Sequence, residues 1–109
     1  MKEKPSSDIY ISIAKDFTKT PGGRFKKEGD FSGEEFLEKI LLPAFEKAFW
    51  ENRYIQVDLD GCMGYPSSFI CGSFGELQKM YPNIDIFKRI QFISKEDLAL
   101  PIQIMEWVN

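Results

Sequence analysis

The sequence contains no histidine and only two cysteines, Cys62 and Cys71. Without histidine, the chain lacks the commonest general acid–base group near neutral pH and cannot form a serine–histidine or cysteine–histidine nucleophile pair. A zinc site would need carboxylates to complete it, which structural zinc sites rarely use. We therefore expect no catalytic residues, no metal and no cofactor, and we predict that the protein is not an enzyme.

The sequence also lacks an apolar run long enough to span a membrane, and its polar start has no signal-peptide core. We expect a cytoplasmic protein without membrane contact, in which both thiols stay reduced. Residues 1–8 are predicted to be a polar N-terminal tail and residues 9–109 one domain. The formal net charge is −3, which argues against nucleic acid as the main partner.

Aromatic residues are abundant, with ten phenylalanines among 109 residues. A capping box at Ser32-Gly33-Glu34-Glu35 predicts a helix to about residue 50, with Phe31 packing on Phe36 and Pro43 bending or dividing the helix. A second helix is predicted over 67–81, and a third is expected to begin at Ser94. Alternating or apolar runs predict strands at 9–14, 53–59 and 84–93.

A turn at Thr20-Pro21-Gly22-Gly23 is expected to return the chain as a short strand over Arg24-Phe25-Lys26. The predicted order is β-β-α-β-α-β-α. Strands joined through helices imply a partly parallel sheet. The predicted fold class is therefore α/β, with a mixed β-sheet and helices packed mainly on one face.

Asp58 and Asp60 follow the apolar strand at 53–59, where two carboxylates at i and i+2 point to the same side. They could bind Mg²⁺ or a ligand hydroxyl, or could instead cap the loop around Gly61. Arg24 follows two glycines and offers a fork for phosphate or carboxylate. The alternative for Arg24 is an internal pair with an acidic residue such as Asp30 or Asp60.

Ser67 and Ser68 open the second helix, where free backbone N–H groups favour an anion. The structural alternative is that Ser67 caps the helix and Ser68 occupies its first turn. Tyr65, with Met63 and Phe69, forms a candidate protein-docking surface. The alternative is that Met63 and Phe69 belong to the core.

Several ordered motifs resemble the bacterial STAS-like domain family of unknown function, which is related in fold to the STAS domains of anti-sigma factor antagonists. The motifs are Pro21-Gly22-Gly23-Arg24, the segment from Phe31 to Phe36, Leu41-Leu42-Pro43 and residues 53–77. The resemblance covers roughly residues 9–108. It implies that Ser68 occupies the position of the phosphorylated serine in those antagonists, although Pro66 replaces an acidic residue and Phe69 a small one.

The resemblance implies a small regulatory domain that binds another protein, such as a kinase-like ATPase. One alternative is an inhibitor from a phage or mobile element that docks on a bacterial protein. Another is a nucleotide-binding or enzymatic module that uses Asp58, Asp60 and Arg24. The sequence leaves the oligomeric state open, a homodimer included.

Overall fold

The computed structural model describes residues 8–109, so most of the predicted tail lies outside the described residues. Three strands form one sheet in the order β1-β2-β3, and both neighbouring pairs are parallel. Parallel neighbours need crossover connections, and here each crossover contains a long helix. The strands are β1 (Ile9–Ser12), β2 (Ile55–Asp58) and β3 (Ile90–Ile93).

Two of the helices are continuous but contain a wider π-helical turn, and short 3₁₀ turns lie at Lys26–Glu28 and Ile86–Lys88. Pro43 lacks an N–H for the Lys39 carbonyl, and the wider turn of the first long helix comes just before this residue. The helix nevertheless continues through Pro43 to Glu51, so the proline does not break it. The helices are α1 (Ile13–Asp16), α2 (Gly33–Phe36, Leu37–Leu41 and Leu42–Glu51), α3 (Ser67–Ile70, Cys71–Gly75 and Glu76–Met80) and α4 (Leu100–Val108).

The helices cover one face of the sheet, which confirms the predicted α/β class. Ile55 and Val57 of β2 are fully buried, whereas Gln56 and Asp58 on the opposite face are partly exposed. Tyr10, beside Gln56 in β1, is 51% exposed. The helices contribute most of the aromatic core, including Phe36, Phe45, Phe69 and Phe74.

The predicted second strand at Arg24–Lys26 is wrong, and the sheet is parallel rather than mixed across residues 8–109. The carbonyls of Gly23 and Arg24 instead accept the N–H groups of Gly33 and Glu34 at 2.8 and 2.9 Å. These N–H groups belong to the first turn of α2 and have no partner inside their own helix. The segment therefore caps α2 and does not pair as a strand.

The start of α2 confirms part of the predicted capping box. The N–H of Glu35 donates to Ser32 Oγ at 3.1 Å, but the Glu35 carboxylate accepts the N–H of Phe31 at 3.2 Å. Phe31 adopts a left-handed conformation with φ 59°, and its ring contacts Phe17 at 5.6 Å between centroids. Phe17 also contacts the Phe36 ring, at 5.3 Å between centroids, so the Phe17 ring links Phe31 to Phe36.

The last helix begins later than predicted, at Leu100. Ser94 Oγ donates to the Asp97 carbonyl, so residues 94–97 form a turn that precedes the helix. With this start, Ile104 is fully buried in the core and Ile102 is 62% exposed. None of the helices within 8–109 has the length and apolar character that crossing a membrane requires.

Candidate functional site

The two predicted aspartates lie at the carboxyl end of β2. Asp58 accepts hydrogen bonds from Tyr10 Oη at 2.6 Å and from the N–H of Asp60 at 3.0 Å. The Asp60 carboxylate accepts the N–H groups of Lys95 and Glu96, each at 2.9 Å. Both carboxylates therefore bind groups of the chain itself, and Asp60 joins the end of β2 to the loop after β3.

Metal-binding residues do not cluster in the described part of the chain. Within residues 8–109, no three histidine, cysteine, aspartate or glutamate side chains group closely enough to hold an ion. Cys62 and Cys71 are both free, and each is partly buried. That the protein needs no metal stays a prediction, to be checked by metal analysis of protein purified without added metal.

Ser67 and Ser68 lie in the first turn of α3, which continues for three more turns. Pro66 occupies the capping position with φ −59° and ψ 140°, and no side chain caps the helix. The alternative in which Ser67 is the cap is therefore wrong. Ser67 is exposed, Ser68 is partly exposed, and neither hydroxyl has a hydrogen-bond partner among residues 8–109. Both hydroxyls are therefore available to another molecule.

Tyr65, one residue before Pro66, anchors the loop that leads into α3. Its hydroxyl donates to the Leu59 carbonyl at 2.7 Å and lies 3.0 Å from Cys62 Sγ. Burial and the neighbouring thiol raise the pKa of Tyr65 well above the ordinary value. Burial also raises the pKa of Cys62, which does not favour a reactive thiolate. Tyr65 thus positions the loop from within.

Exposed apolar side chains lie on the elements next to Ser68. Met63 is 85% exposed, Leu98 82% and Ile102 62%. Met63, Asp97 and Leu100 line a shared hollow of about 200 Å³, and α4 packs on the first turn of α3. We call this region, made of Met63, Ser67, Ser68, Leu98 and Ile102, the Ser68 surface.

The sequence interpretation singled out only part of this surface. Met63 is exposed, so its assignment to the core is wrong, whereas Phe69 is fully buried, as its alternative predicted. Leu98 and Ile102 were not named as site candidates. Leu98 directly follows the acidic pair Glu96-Asp97, and an apolar residue in such a polar loop was the available signal.

Arg24 lies on another part of the molecule, against the middle of α3. A Cβ at Gly72 would come within 2.6 Å of the Arg24 carbonyl oxygen, so the two main chains are in close contact. In the part of the chain that the structure describes, Arg24 forms no ion pair. The alternative in which Arg24 pairs with Asp30 or Asp60 is therefore wrong, and Arg24 makes no hydrogen bond with Asp58 among the described residues either.

A family model described as the STAS-like domain of unknown function (DUF4325) matches residues 32–98, well over half of the chain. The chain belongs to this family. The match contains α3 with Ser67 and Ser68, and it confirms the resemblance that the sequence motifs indicated. Comparisons with curated proteins and with solved structures gave no significant match.

The buried hydroxyl of Tyr65 should make the STAS-like domain sensitive to high pH. Since the folded state raises the pKa of Tyr65, the neutral ring stabilises the fold below the unfolded value of about 10. This stability is lost as the pH rises above that value, by up to about 1.4 kcal/mol per pH unit. Urea denaturation at several alkaline pH values should therefore give a shallower decline for Tyr65→Phe than for wild type.

Tyr54→Phe is the matched control, because the Tyr54 ring is 47% exposed. It should keep the wild-type decline. At neutral pH, Tyr65→Phe should lose about 1 kcal/mol, since the Leu59 carbonyl loses its donor. An alkaline decline of Tyr65→Phe identical to that of wild type would show that the hydroxyl is not buried as described.

Proposed function

We propose that this STAS-like domain is a small cytoplasmic regulatory protein that acts by binding another protein through the Ser68 surface. The observation that carries the proposal is the pair of serine hydroxyls at the start of α3 that have no partner among residues 8–109, close in sequence to the exposed Met63. Interfaces typically combine an apolar centre with polar groups at the rim. The resemblance to anti-sigma factor antagonists supports a kinase-like ATPase as the kind of partner.

Phosphorylation of Ser68 is the proposed switch. A phosphate adds about −1.5 to −2 charge near neutral pH. At a helix N-terminus this charge is tolerated by the free N–H groups and the helix dipole. Against a partner it changes the interface, through repulsion or through new contacts with arginine. The switch therefore alters binding while leaving the fold of the domain in place.

The geometry favours binding over catalysis. The enzymatic alternative needs Asp58, Asp60 and Arg24 to act together, but each aspartate binds backbone or Tyr10, and Arg24 lies against Gly72. An inhibitor from a phage or mobile element would use the same Ser68 surface. The identity of the captured partner distinguishes that alternative from a host regulator.

Substitution of Ser68 tests the switch. Capture on immobilised domain with mass spectrometry identifies the partner, which is then purified and titrated. Ser68→Asp should change the partner's Kd by more than tenfold, equivalent to about 1.4 kcal/mol, with nearly the wild-type melting temperature. Ser68→Ala should keep the affinity of the unmodified domain.

Met63→Ser tests the docking role of the Ser68 surface separately from the phosphorylation of Ser68. Because Met63 is 85% exposed, this variant should weaken partner binding without changing stability. Gly64→Ala is a control, since a Cβ there meets no atom within 4 Å. If Ser68→Asp and Met63→Ser both bind the purified partner as wild type does, the Ser68 surface is not the docking face.

A further inference from the structure

We propose that a cleft between the second half of α3 and the end of α4 binds a small aromatic anion, a planar ring that carries a phosphate or carboxylate. Arg24 would bind the anionic group and Trp107 the ring. The cleft has a volume of about 780 Å³, within the range of roughly 300–1,000 Å³ found for small-molecule sites. This site is separate from the Ser68 surface and does not depend on its function.

The charge of Arg24 is available because the neighbouring carboxylates have other partners. Of the two that line the cleft, Glu76 pairs with Lys79 at 3.1 Å, and Asp85 accepts the N–H of Phe87 at 3.0 Å. Glu28 Oε1 accepts the backbone N–H groups of Arg24 and Phe25, each at 3.1 Å. Glu34 accepts the N–H of Lys26 at 2.8 Å, and Glu38 pairs with the Lys26 ammonium at 2.7 Å. Among the described residues, the Arg24 guanidinium interacts only with the Phe25 ring, whose centroid lies 6.0 Å away. Its planar donor fork suits a phosphate or carboxylate.

The main chain holds Arg24 in place before any ligand arrives. The backbone N–H of Arg24 donates to the Glu28 carboxylate, and the Arg24 carbonyl accepts the N–H of Glu34 at 2.9 Å. The Arg24 backbone also packs on Gly72. A binding residue on a fixed backbone loses less conformational entropy when it meets a ligand. The Pro-Gly-Gly-Arg segment therefore both caps α2 and presents Arg24 at the cleft.

Trp107 provides the opposite wall. Its ring is 38% exposed, and its carbonyl lies 3.9 Å from the thiol of Cys71, the residue next to Gly72. Arg24 and Trp107 thus contact adjacent residues of α3 and both line the cleft. One turn further along, Gly75 leaves the cleft open, since a Cβ there would meet its nearest neighbours only at 3.8 Å.

The outer wall is fixed by a single side chain. Gln78 donates to the carbonyls of Tyr81 and Ile84 at 2.8 and 2.6 Å and accepts the N–H of Ile86 at 3.2 Å. These bonds hold the loop that carries Asn83 and Ile84, which line the cleft. The cleft is therefore pre-formed and offers the two groups that the proposed ligand needs, a ring wall at Trp107 and the cation of Arg24, which is unpaired within residues 8–109.

The indole N–H signals of the two tryptophans test the site by NMR. Adenosine monophosphate and benzoate supply a ring with a phosphate or a carboxylate, while adenosine and inorganic phosphate each supply one part alone. We call adenosine monophosphate and benzoate the complete anions and the other two compounds the partial probes. At least one of the complete anions should shift the Trp107 signal at low millimolar concentration. Trp50, 83% exposed at the end of α2, is the internal control and should not respond. The partial probes should bind at least tenfold more weakly than the complete anion.

Three variants test the cleft on the folded protein. Arg24→Gln should weaken binding of the complete anion at least tenfold, and Gly75→Leu should block the cleft. Both variants should keep the wild-type circular dichroism spectrum. Arg24→Lys should recover part of the affinity, because it keeps the charge without the fork. The proposal is overturned if neither complete anion shifts Trp107, if Trp50 responds equally, or if Arg24→Gln binds as wild type does.

Discussion

Phe45→Ala is expected to destabilise the fold by about 3–5 kcal/mol, the usual loss for a large aromatic side chain removed from a core. Phe45 is fully buried on the inner side of α2. Its ring lies 4.9 Å from that of Tyr81, at the end of α3, so it joins the two long helices. Its removal sacrifices apolar burial and leaves a cavity that the two helices cannot close completely.

Urea denaturation of the purified variant measures this loss. Trp50→Ala, five residues later in the same helix, is the control, because Trp50 is 83% exposed. It should change the free energy of unfolding by no more than about 0.5 kcal/mol. Equal stability of Phe45→Ala and wild type would contradict the inner face assigned to α2.

The inner faces of the long helices could be predicted because they follow from local periodicity. Residues three or four apart lie on the same side of a helix, so the apolar residues of α2 and α3 mark the buried stripe without knowledge of the remaining fold. In the structure, Phe36, Leu41, Phe45 and Phe74 of these stripes are fully buried. The position of Ser68 in a first helical turn follows from the same pattern.

Two of the errors share a physical cause, because each depends on a partner outside the local sequence pattern. Arg24 fits a strand by composition, but its carbonyl binds the N–H of Glu34. Ser94 fits a helix cap, but Asp60 takes the N–H groups of Lys95 and Glu96 and holds them in a turn. Local patterns cannot show where such hydrogen bonds go.

The cleft at Arg24 could not be predicted for a related reason. The sequence shows an arginine after two glycines, and Trp107 lies more than eighty positions later. Only the folded chain shows that Arg24 rests on Gly72 while Trp107 contacts Cys71. The sequence therefore identified Arg24 as a candidate anion-binding residue but could not decide between that interpretation and an internal acidic partner.

Gly33→Ala is expected to destabilise the fold by about 1–3 kcal/mol, as overpacking of a close contact usually does. Gly33 begins α2 where this helix meets α3. An added Cβ would overlap the Phe69 carbonyl oxygen and lie 3.0 Å from the Gly72 carbonyl carbon and the Ser73 nitrogen. These are backbone atoms within a helix, so they cannot rotate away as a side chain can. The helices would have to separate, which opens the contact between Phe36 and Phe69.

Gly75→Ala is the matched substitution, and its expected effect has the opposite sign. Gly75 lies within α3, and a Cβ there would meet its nearest atoms at an ordinary 3.8 Å. Alanine in a helix interior is more favourable than glycine by up to about 1 kcal/mol, so Gly75→Ala should match or exceed wild type in urea. If Gly33→Ala is as stable as Gly75→Ala, α2 and α3 do not approach as closely as described. The same result would contradict the close packing of Arg24 on Gly72, which adjoins this contact.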